Sequence, residues 1–280
     1  MSPELAQYLL SGITIGAIYA LVALGFSIIF NASHVINFAQ GEFVMIGGMT
    51  TVSLIGAGLP LPFAIVAAVA VAAGVGLAFE KFAVEPARGA PVVTLIIITI
   101  GASIFLRGLA ILVWDKKLHT LPPFSGHRPI EIAGAALLPQ SLWVLGVTLA
   151  IVLLLWWFFG RTLLGKAILA TSHQRLAAQL VGINVRQVVF ISFGLSAALG
   201  AVAGILITPI TLTAWDVGIM LGLKGFAAAV LGGLVLGIAE TLSAGYLSSA
   251  YKDVIAFVLM LAVLFFRPRG LLGGRVTERV

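Results

Sequence analysis

Cysteine is absent from the 280 residues, which excludes a disulfide scaffold, a thiolate metal site and a cysteine nucleophile together. Charge is scarce as well. Only 9% of the residues are Asp, Glu, Lys or Arg, against roughly 25% in a soluble domain, too few to cover a water-soluble globule of this size. The pattern GxxxxGK followed by Ser or Thr is missing, and no paired catalytic constellation interrupts the apolar runs. Neither ATP hydrolysis nor intramembrane enzymology is therefore expected of this chain. What is plentiful is apolar: 61% of residues are hydrophobic and the mean hydropathy is +1.17. Glycine, at 32 residues, is also frequent, as in membrane proteins whose helices approach closely. The net charge of +6 comes from basic residues spread between apolar runs, a pattern that speaks for membrane topology and not for nucleic acid.

A membrane-spanning helix needs about 20 mainly apolar residues. The candidates are Gln7–Phe30, Phe43–Ala57, Pro62–Phe82, Val92–Trp114, Leu142–Phe159, Val188–Thr208, Gly218–Glu240 and Val254–Phe266. Their length and lack of strand-like alternation favour helices over a β-barrel. The expected fold is all-α, a polytopic bundle of about eight transmembrane helices forming one domain over residues 1–280. No Lys or Arg precedes the first span, so it lacks the basic start of a cleaved signal peptide and is expected to be retained.

Basic residues set the orientation. With the N-terminus outside, Lys81, Arg88, Arg161, Lys166, Arg175 and Arg186 fall inside, and only Lys116, Lys117 and Arg128 fall outside. The tail with Arg267, Arg269, Arg275 and Arg279 should be inside by the same rule. Three spans after an internal loop would leave it outside, so one span is missed, re-entrant or absent. The external segment Asp115–Ser141, with Pro122, Pro123, Gly126 and Pro129, suits an irregular loop with a short hairpin. Gly12/Gly16, Gly200/Gly204 and Gly233/Gly237 are small-xxx-small pairs suited to close helix packing.

Two polar features need explaining. The segment Asn31–Glu42, NASHVINFAQGE, is too polar for lipid and too apolar for a solvated turn. Polar backbone at membrane depth persists only inside protein or beside a water-filled cavity. Asn37, Gln40 and Glu42 therefore either line a translocation path or brace the helix break, or form a capping turn with Glu42 near the next helix N-terminus. His34 reads as an interfacial hydrogen-bonding residue, since no carboxylate or His cluster accompanies it. Lys224 lies inside an apolar run, where an ammonium must be paired, directed to a cavity or snorkelling. Asp216 is about two turns before it, and Glu240 is expected near the opposite boundary. Arg107 and Asp115 read as interfacial.

The internal loop, about residues 161–187, contains Thr171–Ile183, TSHQRLAAQLVGI. Ser172 is expected to cap a short helix and Gly182 to end it. Its small residues suit docking into a partner groove better than lying on a membrane, for which it carries little basic charge.

From GITIGAIYALVALGFSIIF and HVINFAQGEFVMIGG through QRLAAQLVGINVRQVVFISFGLSAALGAVAGIL and GLKGFAAAVLGG to FFRPRGLLG, the chain resembles permeases of branched-chain amino acid ABC importers, the LivH type. The resemblance implies a multi-pass protein of the bacterial inner membrane with a cytoplasmic coupling helix, in which Ala177, Ala178 and Gly182 form the element inserted into an ATPase subunit. It places Asn37, Gln40 and Glu42 in the family's Asn-Phe-Ala-(His/Gln)-Gly-Glu motif, bordering the pathway, with Lys224 a further path candidate. The implied partners are a homologous second permease, two cytoplasmic ATPase subunits and a periplasmic binding protein. No cofactor is expected in this chain; ATP and Mg would reside on the ATPases. Alternatives are uptake of urea, amides or aromatic acids, and, in a different class, a stand-alone channel or secondary transporter. One departure stands out: Gly232 and Gly233 run directly into LVLGIAETL, where members of the family carry about a dozen more residues, so Gly218–Glu240 forms either one span or two half-helices.

Overall fold

The computed structural model describes residues 3–126, 128–132, 134–246, 248 and 251–267. Helix α1 (Pro3–Ser33) is followed by an irregular stretch and then by α2 (Gln40–Gly56) and α3 (Leu61–Phe79). A π-helical turn (Glu80–Val84) and a 3-10 turn (Glu85–Ala87) extend α3 before α4 (Val92–Trp114). Proline opens α3 within its first two positions and also α5 (Pro139–Arg161), where its missing N–H costs nothing. Between α4 and α5 the short strands β1 (Ile130–Ile132) and β2 (Ala135–Leu137) pair antiparallel, the expected hairpin. Then come α6 (Leu163–His173), α7 (Arg175–Leu180), α8 (Val185–Ile207), α9 (Val217–Leu231), α10 (Gly233–Tyr246) and α11 (Lys252–Phe266).

The hydropathy spans coincide with helices, but they are not eight equal crossings. Among the described residues, α1, extended α3, α4, α5 and α8 are each long and apolar enough to cross a bilayer. Helices α2 and α11 have only 17 and 15 residues, about 25 and 22 Å against a hydrocarbon core of about 30 Å. Burial separates centre from periphery. The most apolar stretches of α1 and α8 are 67% and 72% buried, whereas those of α3, α4 and α5 are 22% or less. The outer helices turn Phe63, Ile97, Ile104, Leu112, Leu153 and Trp156 outward, as lipid-facing helices do.

Glycine lets the central helices touch. A Cβ on Gly237 of α10 would lie 2.4 Å from Gly16 Cα, and one on Gly233 would lie 2.4 Å from Ala20 N. The pairs Gly12/Gly16 and Gly233/Gly237 thus face one another across α1 and α10. Gly204 of α8 meets α2, where a Cβ would sit 2.0 Å from the Val44 carbonyl.

The pair α9–α10 resolves the conflict over the tail. The two helices pass as one apolar unit but bend by 115° at Gly232, whose φ of 89° lies where L side chains rarely go. Gly233 lies against Ala20, midway along α1, and Gly245 lies against Tyr8 near its start, so α10 runs back towards the N-terminal side. Thr213, just before α9, exchanges backbone hydrogen bonds with His119 of the α4–α5 connection, which belongs to that same side. The pair is therefore two half-helices in a re-entrant hairpin that adds no crossing. After it, a single crossing by α11 puts Arg267 on the side of α7. Arg269, Arg275 and Arg279 fall outside the described residues.

Candidate translocation and coupling sites

The break after α1 is made by sequence that satisfies itself locally. His34 adopts φ 57°, ending α1. The Asn37 Oδ1 then accepts from the Ala39 N–H at 3.0 Å, and the Phe38 N–H reaches Thr99 Oγ1 of α4 at 3.3 Å. Asn37 is buried, and its Nδ2 finds no partner among the described residues.

Gln40 opens α2 and is fully buried. Its Nε2 donates to the Ser196 carbonyl of α8 at 3.3 Å. The Ser196 hydroxyl sits 2.7 Å from both Gln40 Oε1 and the Gly25 carbonyl of α1, so its one proton serves two acceptors. This amide thereby ties α2 to α8 and, through Ser196, to α1.

Glu42, in the first turn of α2, is equally enclosed. Its Oε1 accepts from Ser103 Oγ at 2.6 Å and lies 3.4 Å from Arg107 Nε, both on α4. The other oxygen, Oε2, has no hydrogen-bond partner among the described residues and faces Gly218 of α9, where a Cβ would come within 2.4 Å. Glu42 thus does not cap α2 with its side chain. Arg107, expected at the interface, is only 20% exposed and serves as the counter-ion.

Lys224 lies in a second buried polar cluster. Its ammonium pairs with Glu240 of α10, contacts Asp253 of α11 at 2.6 Å and reaches Tyr19 Oη of α1 at 3.2 Å. Lys252 stands 3.9 Å from the same Glu240 oxygen. Hydropathy alone puts Glu240 at the far boundary; the reversal at Gly232 brings it beside Lys224 instead. Two ammonium groups and two carboxylates then balance in charge; Lys224 and Glu240 are buried and so must be paired, while Asp253 and Lys252 are 40% and 43% exposed and form the outer edge of the cluster. No group of three or more potential metal ligands occurs among the described residues.

On the opposite side, α5 turns into α6, which hydropathy does not reveal because Lys166, Thr171 and His173 dilute its apolar face. Thr162 caps it, accepting from the Gly165 N–H at 3.0 Å. Ser172 lies inside α6 and bonds back to the Leu169 carbonyl, so it does not cap α7 as expected; Gln174, with no side-chain cap, holds that position. The end of α7 does follow expectation. Gly182 adopts φ 86°, its N–H bonds the Gln179 carbonyl and the Ile183 N–H bonds the Ala178 carbonyl, both at 3.0 Å. This is the double-bonded glycine termination of a helix. Ala178 is buried and Ala177 half-buried, while Leu176, Leu180 and Val181 are exposed. A Cβ on Gly182 would meet nothing within 4 Å.

The family model described as "Branched-chain amino acid transport system / permease component" matches residues 8–264. The chain belongs to this permease family. It is 34% identical to the high-affinity branched-chain amino acid transport system permease protein LivH of Escherichia coli K12, over 98% of this chain and 97% of LivH. It is 33% identical to BraD of Pseudomonas aeruginosa, over 99% and 100%. The ribose import permease protein RbsC of Escherichia coli K12 is 24% identical over 89% and 82%. The alignment to LivH is 302 residues long, longer than this permease, so it opens gaps in this sequence. With its multiple apolar helices the permease is a multi-pass membrane protein.

Arg107 and Ser103 were legible only as single polar residues of α4; no spacing in the sequence ties them to Glu42. Asp253 carries no sequence signal of its own, because its partner Lys224 is brought to it by the hairpin.

Proposed function

We propose that this permease is the membrane subunit of an ABC importer that carries branched-chain or related amino acids across the bacterial inner membrane. The observation that carries the proposal is the full-length match to permeases named for branched-chain amino acid transport. A P-loop is absent from the sequence, so ATP and Mg belong to two partner ATPase subunits. A second homologous permease and a periplasmic binding protein complete the importer.

Sidedness supports this arrangement. Lys81, Arg88, Arg161, Lys166, Arg175 and Arg186 all lie around the side bearing α7, which the positive-inside rule makes cytoplasmic. There α7 presents Leu176 and Leu180 outward and is held to the bundle through Ala178. We assign Ala177, Ala178 and Gly182 to the element that an ATPase grips. ATP-driven closure of the ATPases would pull on α7, and Asn184, which caps α8 by accepting from the Gln187 N–H at 3.2 Å, passes the movement into the central helix.

In the membrane, Asn37 and Gln40 brace the break, joining α2 to α1 and α8. Glu42, with one unpartnered oxygen between α4 and α9, and Arg107 are the polar groups placed to border the path. Lys224 locks the re-entrant hairpin to α11 and does not carry a free charge into the path. Binding measurements on the cognate periplasmic protein with leucine, isoleucine, valine, urea, amides and aromatic acids test the substrate class. Stimulation of ATPase activity by the liganded binding protein in proteoliposomes tests the machine. Uptake in proteoliposomes lacking any ATPase would overturn it in favour of a channel or secondary transporter.

A further inference from the structure

A cleft of about 290 Å³ opens on the α7 side, where the ends of α1, the extension of α3 and the start of α8 meet. Arg88, Arg175, Arg186 and Gln179 line it, with apolar Val35 and Val189 on its walls. Three guanidinium groups thus share one depression. Arg88 is paired with Glu80 at 2.9 Å, a carboxylate only 1% exposed. Glu85 is engaged by Lys81 at 2.9 Å. Arg175 and Arg186 make no ion pair among the described residues, so the cleft carries an excess of positive charge. Burial and the neighbouring Arg88 push the Arg175 guanidinium below its ordinary pKa, as crowded like charges do. Gln179 is one turn after Arg175 on α7, so one face of that helix looks into the cleft and Leu176 and Leu180 look elsewhere.

We propose that this cleft binds a phosphate group, supplied by the headgroup of an anionic phospholipid of the adjoining leaflet. Guanidinium forks match phosphate oxygens in pairs. Apolar walls beneath a cationic rim suit a headgroup whose acyl chains run along the bundle, and basic pockets between transmembrane helices are lipid sites for this reason. A soluble phosphate would use the rim but gain nothing from Val35 and Val189.

Native mass spectrometry of the purified full-length permease with phosphatidylglycerol or phosphatidylcholine tests the site. The expected result is a preference for phosphatidylglycerol that falls roughly thirtyfold in Arg175→Gln/Arg186→Gln, from about 1 kcal/mol for each of the two basic groups near the surface. Arg88 is left in place because its loss would strand buried Glu80. If the double variant fails to fold, Arg186→Gln alone, at an exposed position, should still show a partial loss. Arg161→Gln/Lys166→Gln removes the same charge from the same side outside the cleft and should keep the preference. Equal loss in that control, or an unchanged preference in the cleft variants, overturns the proposal. Occupancy by millimolar inorganic phosphate with no lipid preference overturns the lipid source and assigns the rim to a soluble anion.

Discussion

Lys224 and Glu240, sixteen residues apart in sequence, form a buried ion pair because the chain reverses at Gly232 between them. Both are at most 6% exposed at the side chain, and Asp253 joins them from α11. One pair therefore fastens both arms of the hairpin, and Tyr19 fastens them to α1.

Lys224→Met should be strongly destabilising, by roughly 3–5 kcal/mol, since it leaves buried Glu240 with only the longer 3.9 Å contact to half-exposed Lys252. Adding Glu240→Gln should recover part of that loss. Heat-unfolding midpoints in detergent for the two single variants and the double variant give the coupling, expected above 1 kcal/mol. Additive effects would mean that the two groups do not share one site.

Gly41→Ala places a methyl 1.8 Å from the Gly218 carbonyl and 2.5 Å from Gly222 N, both on α9. Backbone cannot rotate away as a side chain would, so α2 must leave the hairpin, at a cost of at least roughly 1–3 kcal/mol. Gly146→Ala meets nothing within 4 Å and should be silent. Yield of monodisperse protein in gel filtration, measured beside uptake, checks the contrast; equal behaviour of the two variants would contradict the packing described.

Gln40→Leu and Ser196→Ala should have similar consequences if the amide braces three helices. Each leaves a buried polar partner unsatisfied, worth roughly 1–3 kcal/mol. Thermal stability should fall in both and uptake should fall in proportion to assembled protein. Loss of uptake in Gln40→Leu at normal stability, with Ser196→Ala unaffected, would instead put Gln40 in the path.

Gly182→Trp should insert and fold, because the space around Gly182 is open and the strain of a left-handed backbone at one L residue is only roughly 1–2 kcal/mol. The indole would project from the end of α7 and hold an ATPase off. Reconstituted complexes should show basal but not substrate-stimulated hydrolysis. Normal stimulation would remove α7 from the coupling role.

Much of the fold was open to reading in sequence, and the reasons are physical. Long apolar helices announce themselves by length, and Gly182 as a helix end rests on a backbone region that favours one residue. The hairpin was half-legible: Arg267 demanded an even number of crossings after α7, α8 included, but only the fold shows which segment fails to cross. The partners of Glu42 and Lys224 were out of reach. Each polar residue in an apolar helix has several helices it could face, and rotation about the helix axis leaves no trace in a sequence that is apolar all round. Helix α6 was hidden by the same logic reversed, since a helix with few apolar residues resembles a loop.

The hairpin also has a bearing on how the chain comes to be assembled. Its tip at Gly232 carries turn backbone to the depth of Ala20, and such backbone is not tolerated against hydrocarbon. The groove that receives it is built by α1 and α2, the first helices synthesised, while α9 and α10 are among the last. That groove, floored by Gly12, Gly16 and Gly41, must therefore stay unfilled through most of translation and accept its occupant sideways, after α8 has inserted. Contacts of such long sequence separation form late and slowly. A ribosome stalled before residue 217 would accordingly leave a membrane intermediate whose exposed glycine face is open to whichever small-residue helix lies nearby.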